Sequence, residues 1–144
     1  MIKPGGLVAV KELDVTLLQL LPLDPAILAR LAAARRAKAT EAGVLGAWCG
    51  PSLGPFFRQA GLHGLARRTW LVERWAPLPP ATRQFVTMLV RFMAGLAAEH
   101  DVPPTDLDAL RAAAADPDRL LDDPDFCLRE AFVVTVRRAM GREA

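Results

Sequence analysis

Four apolar residues, Leu7, Val8, Ala9 and Val10, follow a Lys3-Pro4-Gly5-Gly6 turn and end at Lys11-Glu12. A strand with one wet face alternates apolar and polar residues. An unbroken apolar run instead suits a strand covered on both faces, as in sheets flanked by helices. The run predicts a strand over residues 7–12 with a neighbour on each side. The rest of the chain has to supply those neighbours and the cover.

Two further stretches read as strands. Residues 65–75, LARRTWLVERW, are rich in Leu, Val, Thr and Trp, with Trp70 and Val72 on one face, and Pro77, Pro79 and Pro80 end the run. Residues 126–138, FCLREAFVVTVRR, form the clearest strand. Phe132, Val134 and Val136 face one way and Ala131, Val133 and Thr135 the other.

Helical signals fill the gaps. Asp24-Pro25 reads as an N-cap and first position, followed by Ile27, Leu28, Leu31 and Ala34 on one face and Arg35, Arg36 and Lys38 near the C-terminal end. After the Gly-rich passage GVLGAWCGPSLG, Ser52 can cap a short helix bearing Leu53, Phe56, Phe57 and Ala60, which Gly61 ends. The longest helix starts near Ala81, with Phe85, Met88, Leu89, Phe92, Met93 and Leu96 at helical spacing and Val86 and Val90 widening the stripe. Thr105 caps a helix through Leu107, Leu110 and the Ala112–Ala115 tract, and residues 122–125 (DDPD) are a loop. The count is three strands and about four helices in one α/β domain over residues 1–144, with residues 77–125 a helical insertion between the last two strands. Three strands make a small sheet for a strand covered on both faces. The pattern is therefore that of the second part of a larger α/β domain.

Composition narrows the function classes. At 52% hydrophobic and 24% charged residues the chain is globular in composition and not disordered. The net charge of +2 is spread as Arg alternating with Asp and Glu, with no basic block, so nucleic acid is not an expected partner. Cys49 and Cys127 stand outside any CxxC or Cys/His cluster, which argues against structural zinc and fits a reducing cytosol. No signal-peptide pattern is present, and the longest apolar stretch is broken by Arg91. A cytoplasmic protein with no transmembrane segment is expected, while peripheral contact with a membrane stays open.

The ordered motifs carry a family likeness. KPGG and its strand, an acidic turn, a helix, FRQAGL at residues 57–62, LVERWAP, and the closing DDPDFCLREAFVVTVRR resemble the C-terminal half of class I S-adenosylmethionine-dependent methyltransferases of the type-11 or UbiE-like group. The resemblance implies a partial Rossmann-like sheet whose three strands correspond to the family's fifth, sixth and seventh. The last would run antiparallel between the other two. It implies S-adenosylmethionine as cofactor and transfer of a methyl group to a small apolar or aromatic acceptor, resting on positioning and exclusion of water. The family grips its cofactor mainly through a Gly-rich loop and an acidic residue in the N-terminal half. Gly43, Gly46 and Gly50 lack the GxGxG spacing and the strand–turn–helix context of that loop. The expected cofactor grip is thus an N-terminal half, and the chain alone is expected not to bind the cofactor.

Candidate site residues follow from position. Lys11, Glu12 and Asp14 stand at the carboxyl end of the first strand, where open α/β sheets gather ligands, and a carboxylate there can orient a substrate or accept a proton. The competing reading is a solvated strand end. Trp48, beside Cys49 in the Gly-rich passage, either borders the same pocket or anchors a surface loop. Met88 and Phe92 either line a lid over an apolar substrate or pack in the core. His63 and His100 read as capping or surface residues, and no metal-ligand or Ser-His-Asp spacing exists. Arg67, Arg68 and Arg74 with Glu73 read as a solvated edge, the alternative being phosphate binding, which nothing else in the sequence supports. A second function class is a non-catalytic dimerisation or partner-binding module derived from the same fold, because an incomplete sheet exposes an apolar edge.

Overall fold

The computed structural model describes residues 6–42 and 53–138. Its architecture is organised by the last strand. β4 (Cys127–Arg138) lies inside a four-stranded antiparallel sheet. β3 (Ala66–Trp75) runs along one side, from Ala66 opposite Val136 to Trp75 opposite Cys127. The other side is shared by two strands. β1 (Leu7–Leu13) pairs from Leu7 opposite Arg138 to Leu13 opposite Phe132, and β2 (Gln19–Leu21) pairs opposite Arg129 to Cys127. Since β1 and β3 are each antiparallel to β4, they run parallel to one another.

The three strands expected from the sequence stand within about a residue of their expected bounds. β2 has no counterpart in the sequence reading, because three residues are too few to show a period. The first strand needs a correction. Among the described residues β1 has a neighbour on one side only, and Leu7, Ala9 and Lys11 are exposed while Val8 and Val10 are half-buried. Its unbroken apolar run therefore belongs to an edge strand, not one covered on both faces. Between β1 and β2 the chain makes a single 3-10 turn, Val15–Leu17, which shifts it sideways and lets it rejoin β4 further along.

Among the described residues five helices form, against about four expected. They are α1 (Ile27–Glu41), α2 (Gly54–Gln59), α3 (Pro80–Ala98), α4 (Pro104–Ala115) and α5 (Pro117–Leu121). The unexpected one, α5, follows a one-residue break at Asp116, whose carboxylate accepts from the Arg119 N–H at 3.2 Å. Asp24 does not occupy the cap position of α1, which Ala26 holds. Its carboxylate accepts the Ala26 N–H at 2.9 Å and forms the turn before the helix. Pro103, not Thr105, holds the cap position of α4. Gly61 ends α2 as expected, at φ 73°, a conformation side chains disfavour. The Ser52 cap and the Gly-rich spacing fall outside the described residues.

The core joins the helices to one end of the sheet. Leu18 and Leu20 meet Ile27, Leu28 and Leu31 of α1, Val86, Val90, Met93, Ala94 and Ala97 of α3, Leu110 of α4, and Phe126 and Leu128 at the start of β4. The buried stripe of α3 is rotated from the expected one: Val86 and Val90 are fully covered, whereas Phe85, Met88 and Phe92 face outward. α3, α4 and α5 occupy the stretch between β3 and β4 where a helical insertion is expected. Arg30 of α1 forks onto the buried Asp106 of α4 at 2.6 and 2.8 Å, and Arg83 of α3 reaches Asp118 and Asp122 at 2.7 Å each. Charge pairs thereby fix helices whose apolar contacts alone leave their rotation free.

This assignment separates the two kinds of apolar residue on the helices. Leu110→Ala should lower unfolding stability by about 3 kcal/mol, the usual cost of a cavity at a fully buried leucine. Phe92→Ala should change it by less than about 0.5 kcal/mol, as exposed positions do. Urea titration of both variants checks the contrast, and equal losses would mean that the outer stripe of α3 is packed.

Candidate functional site

The pleat of β1 sends Lys11 and Glu12 to opposite faces of the sheet. Lys11 stands opposite Val134, and its Nζ lies 4.0 Å from the centre of the Phe132 ring, a cation over an aromatic face. Glu12, opposite Val133, is half-buried on the other face. These two residues do not share a pocket. Asp14, just past β1, is buried, and one carboxylate oxygen accepts both the Thr16 N–H at 3.1 Å and the Thr16 hydroxyl at 2.6 Å. That oxygen caps the 3-10 turn.

The face that carries Lys11 is open and mostly apolar, with Arg68 standing across Val134 from Lys11. Trp70 of β3 stands opposite Phe132, Ala66 and Ala9 flank Val136 from either side, and Trp70 remains 48% exposed. Further along the same face Arg74 pairs with the buried Glu130 of β4, and its guanidinium lies 5.9 Å from the Phe85 ring of α3. Phe85 opens the outer stripe of α3, which continues through Met88 and Phe92, 59% and 53% exposed. The sheet face and the helix stripe thus meet at Arg74, which a carboxylate holds from below. The face can receive a flat or apolar group, with Lys11 as a cation at one end and the Arg74–Glu130 pair at the other. Met88 and Phe92 belong to this outward surface. Trp48 lies outside the described residues, as does Cys49.

The remaining reactive side chains offer little chemistry. Cys127 is buried in β4 and burial pushes its thiol pKa up, so it is not poised as a thiolate. The ring of His100 lies 2.7 Å from the Leu96 carbonyl at the end of α3, the capping role expected of it. Among the described residues no cluster of His, Cys, Asp and Glu could hold a metal ion. Among the described residues no helix is long and apolar enough to cross a membrane. No described glycine lies between a strand and a helix in the manner of a Gly-rich cofactor loop.

No known family model and no curated protein matches the chain.

Sequence reasoning passes over Glu130, and it reads Arg74 with Glu73 as a solvated edge. Glu73 pairs instead with Arg129 at 2.7 Å on the opposite face, and Arg129 also donates to Gln19 at 2.9 Å, linking β3, β4 and β2. The signal was present in residues 126–138. Glu130 shares a face with Phe132 and Val134 in a strand apolar on both sides, and a carboxylate there needs a cation across the sheet.

The capping role of Asp14 has a direct check. Asp14→Ala should destabilise the chain by about 1 kcal/mol, the usual loss when a capping carboxylate is removed. Asp14→Asn keeps an acceptor oxygen and should cost a few tenths at most. Thermal denaturation of the two variants distinguishes them, and an equal loss in both would show that the charge, not the cap, matters.

Proposed function

We propose that this chain is the substrate-side portion of a class I S-adenosylmethionine-dependent methyltransferase, with methyl transfer to a small apolar or aromatic acceptor in the assembled enzyme. The observation that carries the reading is the strand arrangement. The last strand lies antiparallel between two strands that are parallel to one another, with three helices inserted before it. That arrangement is the one the sequence resemblance calls for, and it is shared by any antiparallel sheet whose last strand lies at the centre. The apolar face of Trp70, Phe132 and the α3 stripe supplies a surface suited to such an acceptor. The cofactor is gripped by a Gly-rich portion that the described residues do not supply.

A second reading has its own support. Leu7, 65% exposed on the edge strand β1, and Trp70 with the α3 stripe, across β4 on the same sheet face, lie uncovered, and a non-catalytic partner-binding or dimerisation module would use that face.

Titration calorimetry tests the division of labour. The 144-residue chain should give no heat of binding with S-adenosylmethionine. Binding and methyl transfer should appear when a half bearing a strand–GxGxG–helix unit is supplied. Tight binding by the chain alone would overturn the reading. A stable dimer by light scattering that persists when the cofactor half is added would favour the module.

A further inference from the structure

A second group of side chains gathers at the same end of the sheet, on the opposite face. From Ala42 to Val72 the sequence contains no Asp or Glu, yet it carries Arg58, His63, Arg67 and Arg68. The fold gathers part of this charge. Arg67 stands opposite Thr135, and Arg137, two residues further along β4, projects from the same face. Gly54 opens α2 where a side chain would collide with the Arg67 guanidinium, and Arg58 Nη1 lies 3.3 Å from that same point. The missing side chain of Gly54 is therefore what allows the two guanidiniums to converge. Arg137 donates to the Gly64 carbonyl at 3.3 Å, and its Nε is buried with no acceptor. Arg58, His63, Gly64, Leu65 and Arg67 line a concavity of about 330 Å³ beside it.

Convergence, together with the lack of a carboxylate partner, sets these arginines apart. Arg30, Arg74, Arg83 and Arg129 each hold a carboxylate, whereas no ion pair among the described residues reaches Arg58, Arg67 or Arg137. Convergent guanidiniums without an acid repel one another, and a bound anion reverses the sign of that interaction. Planar guanidinium forks match the oxygens of phosphate and favour it over a monovalent spherical ion. Arg137 stands opposite Val8 at the start of β1, remote from Asp14 at its end, and on the face opposite Lys11.

We propose that Arg58, Arg67 and Arg137, with His63, bind the phosphate group of a small soluble phosphate ester. The site is independent of the apolar face and of methyl transfer. Calorimetry on the full chain at low salt, with inorganic phosphate and with AMP as probes, should show saturable binding of both. Arg67→Gln and Arg58→Gln should each weaken it about tenfold or more, in line with loss of a charge-assisted contact. Arg111→Gln, at an exposed arginine of α4, should leave it unchanged. Both site arginines are exposed, so the variants should keep the parent melting temperature. The proposal is overturned if neither probe saturates, if the two site variants bind like the parent, or if Arg111→Gln weakens binding equally. It is also overturned if phosphatidylglycerol vesicles bind the chain and the soluble probes do not.

Discussion

Among the described residues every other strand is paired to β4, and no two of the others are paired to each other. β4 satisfies the backbone of β3 along one side and of β1 and β2 in succession along the other. Its own side chains are correspondingly the best covered in the sheet, with Cys127, Leu128, Ala131 and Thr135 fully buried. Without β4 the remaining strands would expose rows of unpaired amides and carbonyls, each costly once removed from water. The sheet forms only when the last part of the chain reaches the first, a non-local arrangement that closes late in folding.

A sheet built outward from one central strand has two edges, and the faces differ in cover. The helices protect the end where β4 begins, through Phe126, Leu128 and the α3–α4 packing. The other end is left with Trp70, Phe132 and Lys11 on one face and an arginine cluster on the other. The two surfaces call for different chemistry. The first is apolar and suits a flat acceptor or a covering partner. The second is cationic and suits a phosphate. The proposed substrate-side role would use the first, and the second stands apart from it.

Much of this fold was legible in the sequence, for physical reasons specific to each element. β3 and β4 announce themselves by β-branched and aromatic runs bounded by prolines and by DDPD, and α3 by its length. What failed to show was local or long-range. β2 and the Asp14 turn are too short to have a period. α5 is hidden by the Ala-rich tract before it. The buried stripe of α3 could not be chosen because Phe85, Val86, Met88, Leu89, Val90, Phe92 and Met93 make most of the helix apolar, so spacing alone does not say which side is covered. The run Leu7–Val10 misled because an edge strand beside a warm apolar face can be as continuous as a buried one. Of the candidate site, Lys11 was placed at the right strand end, but the Arg30–Asp106 and Arg74–Glu130 pairs join residues far apart in sequence and leave no local trace.

Residue-resolved hydrogen exchange on the native chain is the most direct test of a sheet hung on β4 with β1 as an open edge. The account predicts uniform strong protection along Cys127–Val136, with β1 amides alternating between protected and rapidly exchanging as they point toward β4 or away from it. Uniform protection along Leu7–Leu13, or fast exchange within β4, would contradict it.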